Sequence, residues 1–188
     1  MNKSLLIKNY IEKLAYPISD KDIIKYFGIE GQEAIILYKD LKNYKNIEEL
    51  LPTNNSFKIF LIEDKPNSGH WVCLLRYGDN IEFFDSYGEG IDEEFKYIPK
   101  FIKNMLNQNK KYLTYLLANA PKKYKIIYNK IPYQELNDGV STCGKWCILR
   151  ILLLKTMNYD LYEFNEFMER QKFKYNKPFD ILCVDWIV

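Results

Sequence analysis

The sequence predicts an α+β fold in which a helical N-terminal part precedes a group of β-strands and a buried core helix. The first fifty residues have the spacing and the glycine breaks of short helices. Residues 57–85 instead form short apolar runs separated by turn residues, which is typical of strands. The stretch from Trp146 to Leu154 is apolar on nearly every side and is interrupted only by Arg150. Because a helix that is apolar all round is buried, this stretch predicts the central helix of the fold.

Size and composition predict one globular domain over residues 1–188 with a sizeable core. Hydrophobic residues make up 47% of the chain and charged residues 28%. No apolar run approaches the roughly 20 residues of a membrane span, and the N-terminus lacks the apolar core of a secretory signal, so we expect no membrane association. The cysteines lie in apolar stretches without the spacing of a disulfide framework, which favours a reducing, intracellular compartment. They are Cys73, Cys143, Cys147 and Cys183.

The N-terminal part is predicted to contain short helices only. Ser19 and Asp20 offer N-caps for the second helix, and Gly28 and Gly31 interrupt the chain after it. A loop at residues 52–56 ends this part. The predicted helices cover residues 3–15, 20–27, 31–43 and 46–51.

A group of strands follows, and the second of them is predicted to lie in the middle of the sheet. Residues 70–77 are apolar on both faces, as in a strand that is covered on both sides. Gly78, Asp79 and Asn80 form a tight turn after it. The predicted strands cover residues 57–62, 70–77 and 81–85, with a loop at 63–69.

The second half of the chain combines helices with one more strand. Pro121 ends a helical piece, and alternation after it indicates a strand. The apolar tail is expected to be ordered, but its pattern fits a strand and a helix equally. The predictions are helices at 92–107, 111–118 and 160–172, a strand at 124–131, a loop at 132–142 before the core helix, and the undecided tail at 178–188.

Cys143 lies where the core helix begins. Ser141 or Thr142 can act as N-cap by accepting a hydrogen bond from a free backbone N–H group. The helix dipole and the remaining N–H groups favour negative charge at this end, which lowers the pKa of a thiol and yields a thiolate nucleophile. The alternative is a small buried cysteine that only packs at the helix start, since free cysteine is often buried.

His70, the only histidine of the chain, and Asp85 belong to one predicted hairpin. His70 opens the central strand and Asp85 closes the next. A two-residue loop at Gly78 and Asp79 would pair residue 72 with 85 and residue 70 with 87, which makes His70 and Asp85 diagonal neighbours on one face. A three-residue loop would put them on opposite faces. The alternatives are a hydrogen-bonded core histidine and a turn-forming aspartate.

These residues together fit nucleophilic catalysis. A thiol needs a base to take its proton, and the base needs an acceptor that fixes its tautomer. Cys143, His70 and Asp85 are candidates for those roles. The backbone N–H of Cys143 and the side chain of Gln134 are candidate donors to an oxyanion. The alternative for Gln134 is a plain surface residue. A metal site is not expected, since there is one histidine and no second cysteine pair beside Cys143 and Cys147.

The motifs around these residues resemble those of the adenain-like (clan CE) cysteine peptidases. The similar segments are Gly69-His70-Trp71, Phe84-Asp85-Ser86-Tyr87-Gly88, Gln134 and Ser141-Thr142-Cys143-Gly144, in that order, with Ile18-Ser19-Asp20 similar to the segment that leads into the site in viral members. The family includes the adenovirus maturation protease, related proteases of large DNA viruses, virophages and Maverick-type elements, and proteases of ubiquitin-like proteins.

The resemblance implies a papain-like, adenain-type α+β fold with a Cys143–His70–Asp85 triad and no cofactor. It also implies that Trp71 walls a narrow site that admits glycine but no side chain. In the family the oxyanion glutamine usually lies six or seven residues before the cysteine, whereas Gln134 lies nine before it. Asn137 is therefore the alternative oxyanion donor.

The segment from Phe95 to Gln134 contains nine lysines and no acidic residue, with tyrosines interleaved. Such a segment can track phosphates and stack on bases, so nucleic acid is a candidate partner. The alternative is a solvated face that is rich in lysine because of codon bias, since lysine outnumbers arginine 24 to 3.

The preferred functional hypothesis is a monomeric cysteine protease of a virus or mobile element. It would act in the virion and host cytoplasm, cleave after glycine and mature capsid or core proteins. The alternatives are an isopeptidase that removes ubiquitin-like proteins, an acyltransferase of the same family and an inactive binding module.

Overall fold

The computed structural model describes residues 3–187, which form a five-stranded mixed sheet with helices on both faces. The strands lie in sequence order across the sheet. The outer pairs, β1–β2 and β4–β5, are parallel, and the inner pairs are antiparallel. The predicted α+β class is confirmed. The strands are β1 (Ile35–Leu37), β2 (Phe57–Lys65), β3 (Ser68–Tyr77), β4 (Asn80–Phe84) and β5 (Lys125–Tyr128).

The helices precede, interrupt and follow this sheet. Two short 3₁₀ helices, Tyr38–Asn43 and Glu93–Lys96, accompany them. The α-helices are α1 (Lys3–Ala15), α2 (Asp20–Ala34), α3 (Ile47–Leu50), α4 (Lys100–Met105), α5 (Tyr112–Ala118), α6 (Cys143–Met157), α7 (Leu161–Tyr175) and α8 (Phe179–Trp186). In this described part of the chain, no helix combines the length and the apolar character that crossing a membrane requires.

Helix α6 is the central helix that the sequence predicts. Its residues Trp146, Cys147 and Ile148 are fully buried against the sheet face that carries Cys73. Arg150, the one charged interruption, is also fully buried and makes a two-pronged ion pair with Glu82 of β4, with N–O distances of 2.7 and 2.6 Å. A buried arginine needs such a partner, because an unpaired charge is costly in the core.

Strand β3 is central, as predicted, and the hairpin after it has the register that places His70 and Asp85 on one face. Tyr77 pairs with Asn80 and Cys73 pairs with Phe84, so Gly78 and Asp79 form a two-residue turn. Side chains alternate between the two faces of a strand. The condition on which the His70–Asp85 inference depended is therefore met.

The predicted helix at residues 31–43 is wrong. The break at Gly28 is present, with a φ of 60°, but α2 resumes after it and ends at Ala34. Ile35–Leu37 then pair in parallel with residues 59–61 of β2, and a 3₁₀ helix follows. Three consecutive apolar residues gain more by extending the sheet edge than by continuing a helix, because they pack against both clusters of the core.

The prediction of one continuous helix at 92–107 is also wrong. It consists of the 3₁₀ helix Glu93–Lys96 and of α4, which are separated at Pro99. Proline disfavours the helical conformation of the residue before it, so the first helix ends there. The strand predicted at 124–131 is shorter, and the undecided tail is helix α8, which begins after Pro178. Val188 lies outside the described residues.

Candidate active site

Cys143, His70 and Asp85 meet at one end of the sheet. His70 lies near the start of β3, Asp85 directly follows β4, and Cys143 is the first residue of α6. His70 and Cys143 line one cleft, of about 330 Å³, while Asp85 lies behind it with only 1% of its surface exposed. The structure thus brings together three residues that are far apart in the chain.

Asp85 holds His70 by one ring nitrogen. The distance from His70 Nε2 to Asp85 Oδ1 is 2.8 Å, and both side chains are buried. The same oxygen of Asp85 accepts the backbone N–H of Tyr87 at 2.9 Å, which fixes the carboxylate. Because Nε2 faces the carboxylate, Nδ1 is the ring nitrogen that remains to interact with the thiol of Cys143, which lines the same cleft.

The electrostatics of this pair favour an imidazolium and a thiolate. Burial by itself lowers the pKa of His70, but Asp85 and Cys143 outweigh burial and raise the pKa well above its ordinary value. Burial by itself raises the pKa of the Cys143 thiol, but His70 and the backbone N–H groups of Trp71 and Gly144 outweigh it and lower that pKa. Opposite charges within contact distance stabilise each other, so the two shifts have one cause.

The N-terminus of α6 is not capped by a side chain, contrary to the expectation for Ser141 or Thr142. The Thr142 hydroxyl instead donates to the carboxylate of Asp180 on α8. Asp180 also accepts the Trp146 indole N–H at 3.0 Å. The hydrogen bond to the buried carboxylate orients the Thr142 hydroxyl toward Asp180 and away from the capping position. As a result, no capping side chain occupies the first N–H groups of α6 beside Cys143.

Gln134 lies at the cleft and is nearly fully buried. Its Oε1 accepts the Ser86 hydroxyl at 2.9 Å, and its Nε2 donates to the Tyr87 hydroxyl at 3.1 Å and to the Val140 carbonyl at 3.0 Å. The amide is therefore oriented from both ends. Asn137 is exposed, and its side chain accepts the N–H of Gly139 outside the cleft. The longer loop thus brings Gln134, and not Asn137, to the cleft.

Trp71 walls the cleft together with Ile18, and the two close tightly over Gly144. The Trp71 indole N–H donates to the Ile18 carbonyl at 3.2 Å. A Cβ on Gly144 would lie 2.4 Å from the Ile18 side chain and 3.0 Å from the Trp71 ring, so only glycine fits there. Ile18 and Trp71 therefore pack directly against the first turn of α6.

The N-terminal segment at residues 14–18 is bound to the site at further points. The Leu14 carbonyl accepts the N–H of Ser141 at 2.7 Å. The Tyr16 carbonyl accepts the ammonium of Lys145, which is 3% exposed. The segment that precedes α2 therefore forms part of the cleft wall and is fastened to the helix that carries Cys143.

Two residues of the site were not predicted as functional. The ring of Tyr87 stacks on His70 with a centroid distance of 4.7 Å, and burial raises the pKa of its hydroxyl. The position of Tyr87 in the Phe84–Gly88 motif could have indicated a functional residue.

Glu94 places a carboxylate oxygen within 4.8 Å of ligand atoms of His70 and Asp85. These three side chains could hold a cation among them, although the His70–Asp85 hydrogen bond already engages two. Nothing in the sequence around Glu94 indicated this position.

The lysine-rich segment is less one-sided in the structure than in the sequence. Lys96 pairs with Glu89 at 2.8 Å, and Lys123 pairs with Glu48 at 2.7 Å, so acids from outside the segment neutralise part of it. A smaller group of lysines surrounds a cavity of about 360 Å³ together with tyrosines. The lysines and tyrosines of this cavity are Lys42, Lys110, Lys111, Tyr44, Tyr112 and Tyr115.

The fold and the site define an α+β protein in which a half-buried cysteine at the start of the central helix meets a buried histidine–aspartate pair. No protein-family model matches the sequence. The sequence is 38% identical over 161 residues to a protein of the Sputnik virophage that bears the name "Uncharacterized protein V9". The alignment covers 85% of this chain and 86% of the virophage protein. The chain therefore belongs to the family of this virophage protein.

Proposed function

We propose that this protein is an adenain-like cysteine endopeptidase that cleaves after glycine and matures viral capsid or core proteins. The observation that carries the proposal is the cluster of Cys143, His70 and Asp85, in which Asp85 is hydrogen-bonded to His70 while His70 and Cys143 line one cleft at an uncapped helix N-terminus. A central helix that bears the nucleophile, packed on a sheet that bears the base, supports the papain-like fold. The virophage relative supports a viral role, in the virion or the host cell.

The geometry supports the following part for each side chain in the proposed reaction. His70 Nδ1 takes the proton of Cys143, and the thiolate attacks the carbonyl carbon of the substrate. Asp85 keeps the imidazolium oriented. The N–H of Cys143 and the Nε2 of Gln134 donate to the oxyanion, for which Gln134 gives up its hydrogen bond to Tyr87. His70 then protonates the leaving amine, and water hydrolyses the thioester with His70 as base.

The closely packed wall that Ile18 and Trp71 form beside Gly144 supports glycine as the residue on the acyl side of the scissile bond. Ile18 and Trp71 approach Gly144 so closely that this wall has no room for a methyl group. A substrate side chain that points at this wall would meet the same atoms. Glycine has no side chain and therefore does not meet these atoms.

Incubation with candidate capsid and core proteins, followed by mapping of the new N-termini, tests the proposal. We expect cuts directly after glycine that are absent with Cys143→Ala. A glycine aldehyde probe should modify Cys143 in the same preparation. If the native protein neither reacts with the probe nor cuts any candidate, the peptidase assignment is wrong. Reaction with a ubiquitin-like vinyl probe, without any cut in a capsid protein, would contradict maturation and favour an isopeptidase.

A further inference from the structure

A second cavity, of about 720 Å³, opens beside the catalytic cleft. Tyr87, Glu94 and Gln134 line both spaces, so the two adjoin. We call this cavity the side pocket. The reaction described above does not use it. A substrate that lies in the cleft passes its mouth, and a neighbouring side chain of that substrate can enter it.

The side pocket has apolar and aromatic walls. Tyr87, Tyr97 and Phe179 contribute rings, and Pro132 contributes a rigid apolar edge. Such walls suit the aliphatic stem of a long side chain, and the ring faces attract a cation. Phe179 already makes this contact with Lys172, whose ammonium lies 4.3 Å from the ring centre.

Acidic groups also line the side pocket, and they fall into two kinds. Glu89 is occupied by Lys96 and by the Tyr97 hydroxyl, and Asp180 is occupied by Thr142, Trp146 and a backbone N–H. Glu94 and Glu135 differ, because within residues 3–187 neither carboxylate accepts a hydrogen bond or forms an ion pair. Glu94 is half-buried and Glu135 is exposed. A half-buried carboxylate without a partner, such as Glu94, favours a cationic ligand, since an unpaired charge is costly away from water. Glu135 adds negative charge on the same wall.

Glu94 stands at the junction of the two spaces. Its carboxylate lies close to His70 and Asp85, as described above, and it also faces the side pocket. Burial raises the pKa of Glu94, whereas the charge of His70 lowers it. A cation in the pocket would relieve the repulsion between the carboxylates of Glu94 and Asp85.

We propose that the side pocket is a substrate subsite that binds the side chain of a lysine or an arginine next to the scissile glycine, with Glu94 and Glu135 holding its charge. This inference rests on the proposed peptidase function. The aromatic walls take the aliphatic stem, and the two carboxylates take the charged end. Lys172, which lies over Phe179, repels a cation near that ring. The charged end of the ligand is therefore expected beside the carboxylates.

Matched fluorogenic peptides test the subsite. Each contains one glycine, and lysine, norleucine or glutamate is placed in turn at each neighbouring position. We expect one position at which lysine exceeds norleucine in kcat/KM by about tenfold, the size of one charge-assisted hydrogen bond. Glu94→Gln combined with Glu135→Gln should bring this ratio close to one. Glu93→Gln, on the same 3₁₀ helix but outside the pocket, should leave the ratio as it is.

Binding to the Cys143→Ala protein separates failure of the subsite from failure of the proposed function. If the native protein cuts glycine peptides without preferring lysine at any position, the subsite is wrong and the peptidase stands. If it cuts nothing, but the lysine peptide binds Cys143→Ala more tightly than the norleucine peptide and the Glu94/Glu135 double variant removes the difference, the pocket stands and the peptidase fails. Equal binding of both peptides overturns the pocket.

Discussion

Asp180 of α8 accepts a hydrogen bond from the hydroxyl of Thr142, the residue directly before Cys143. The same carboxylate accepts the backbone N–H of Glu135 and the indole N–H of Trp146. One buried side chain therefore ties the loop before α6, the first turn of α6 and the C-terminal helix together. It also explains why no side chain caps the N–H groups at the start of α6, beside the thiol.

Replacing this carboxylate should destabilise the protein. Asp180→Ala leaves several buried donors without an acceptor, and we expect the free energy of unfolding to fall by about 2–4 kcal/mol. Urea denaturation measures it. Asp185→Ala on the same helix removes a half-exposed pair with Lys177 and should cost less than about 1 kcal/mol. Equal stability of the two variants would show that Asp180 has no special part.

The thiol of Cys143 should stay reactive at a lower pH than an ordinary cysteine. Its pKa is lowered from the ordinary value of a thiol, mainly by His70 and by backbone N–H groups that outweigh burial, so the thiolate persists to a lower pH than in a free cysteine. Alkylation by iodoacetamide, followed by mass spectrometry across a pH series, gives the midpoint. Cys147 and Cys183 should remain unmodified in the folded protein, because they are fully buried and burial raises their pKa values.

The His70→Ala variant supplies the control for this measurement. Without the imidazolium, the thiolate loses the partner that lowers its pKa, so the midpoint should move to higher pH. Under the proposed function this variant is also inactive, whereas Cys147→Ala keeps its activity. A midpoint that is the same with and without His70 would disprove the ion pair.

The pKa of His70 can be read directly by NMR, because the chain has a single histidine. We expect a value well above about 6.5, so the imidazole stays charged as the pH rises through neutrality. In Asp85→Asn the loss of the neighbouring negative charge should lower the pKa. Asp79→Asn, an exposed position in the turn of the same hairpin, should leave it in place. An Asp85→Asn protein with an unchanged His70 pKa contradicts the assigned role of Asp85.

Gln134→Ala should reduce kcat by about 10²–10³ with little change in KM, which is the usual cost of losing one oxyanion donor. The measurement is steady-state cleavage of a glycine peptide. Asn137→Ala is the matched control, since Asn137 lies in the same loop but is exposed outside the cleft. Normal kcat in Gln134→Ala together with a large loss in Asn137→Ala would reverse the assignment.

Binding of nucleic acid should depend on the lysines of the tyrosine-lined cavity. DNA affinity, measured by fluorescence anisotropy, should fall steeply between about 50 and 200 mM salt, and Lys110→Gln with Lys111→Gln should weaken it and flatten the salt dependence. Lys96→Gln with Lys123→Gln removes the same charge from lysines that acids already pair, so its effect should be smaller. If both double variants weaken DNA binding equally, the cavity has no specific role in binding.

The triad cluster was predictable because each of its signals is local. The length of the turn decides which residues of a hairpin share a face, and the start of a helix shows in its first few residues. The structure places Cys143, His70 and Asp85 as these signals indicate. Strand β1 was not predictable, since three apolar residues carry no periodicity and their partners in β2 lie far along the chain. The failed cap at Thr142 has the same origin, because the competing acceptor Asp180 is 38 residues away.

The fastening of residues 14–18 to the site bears on how the protein folds. Lys145 and Tyr16 are 129 positions apart, and the N–H of Ser141 reaches back to Leu14 over a similar span. Contacts between such distant parts of a chain form slowly, because a long loop must close before they are gained. During synthesis the N-terminal segment must therefore wait for α6 to emerge. The cleft is completed only after nearly all of the polypeptide is available, so under the proposed function a nascent chain is inactive until its synthesis is almost complete.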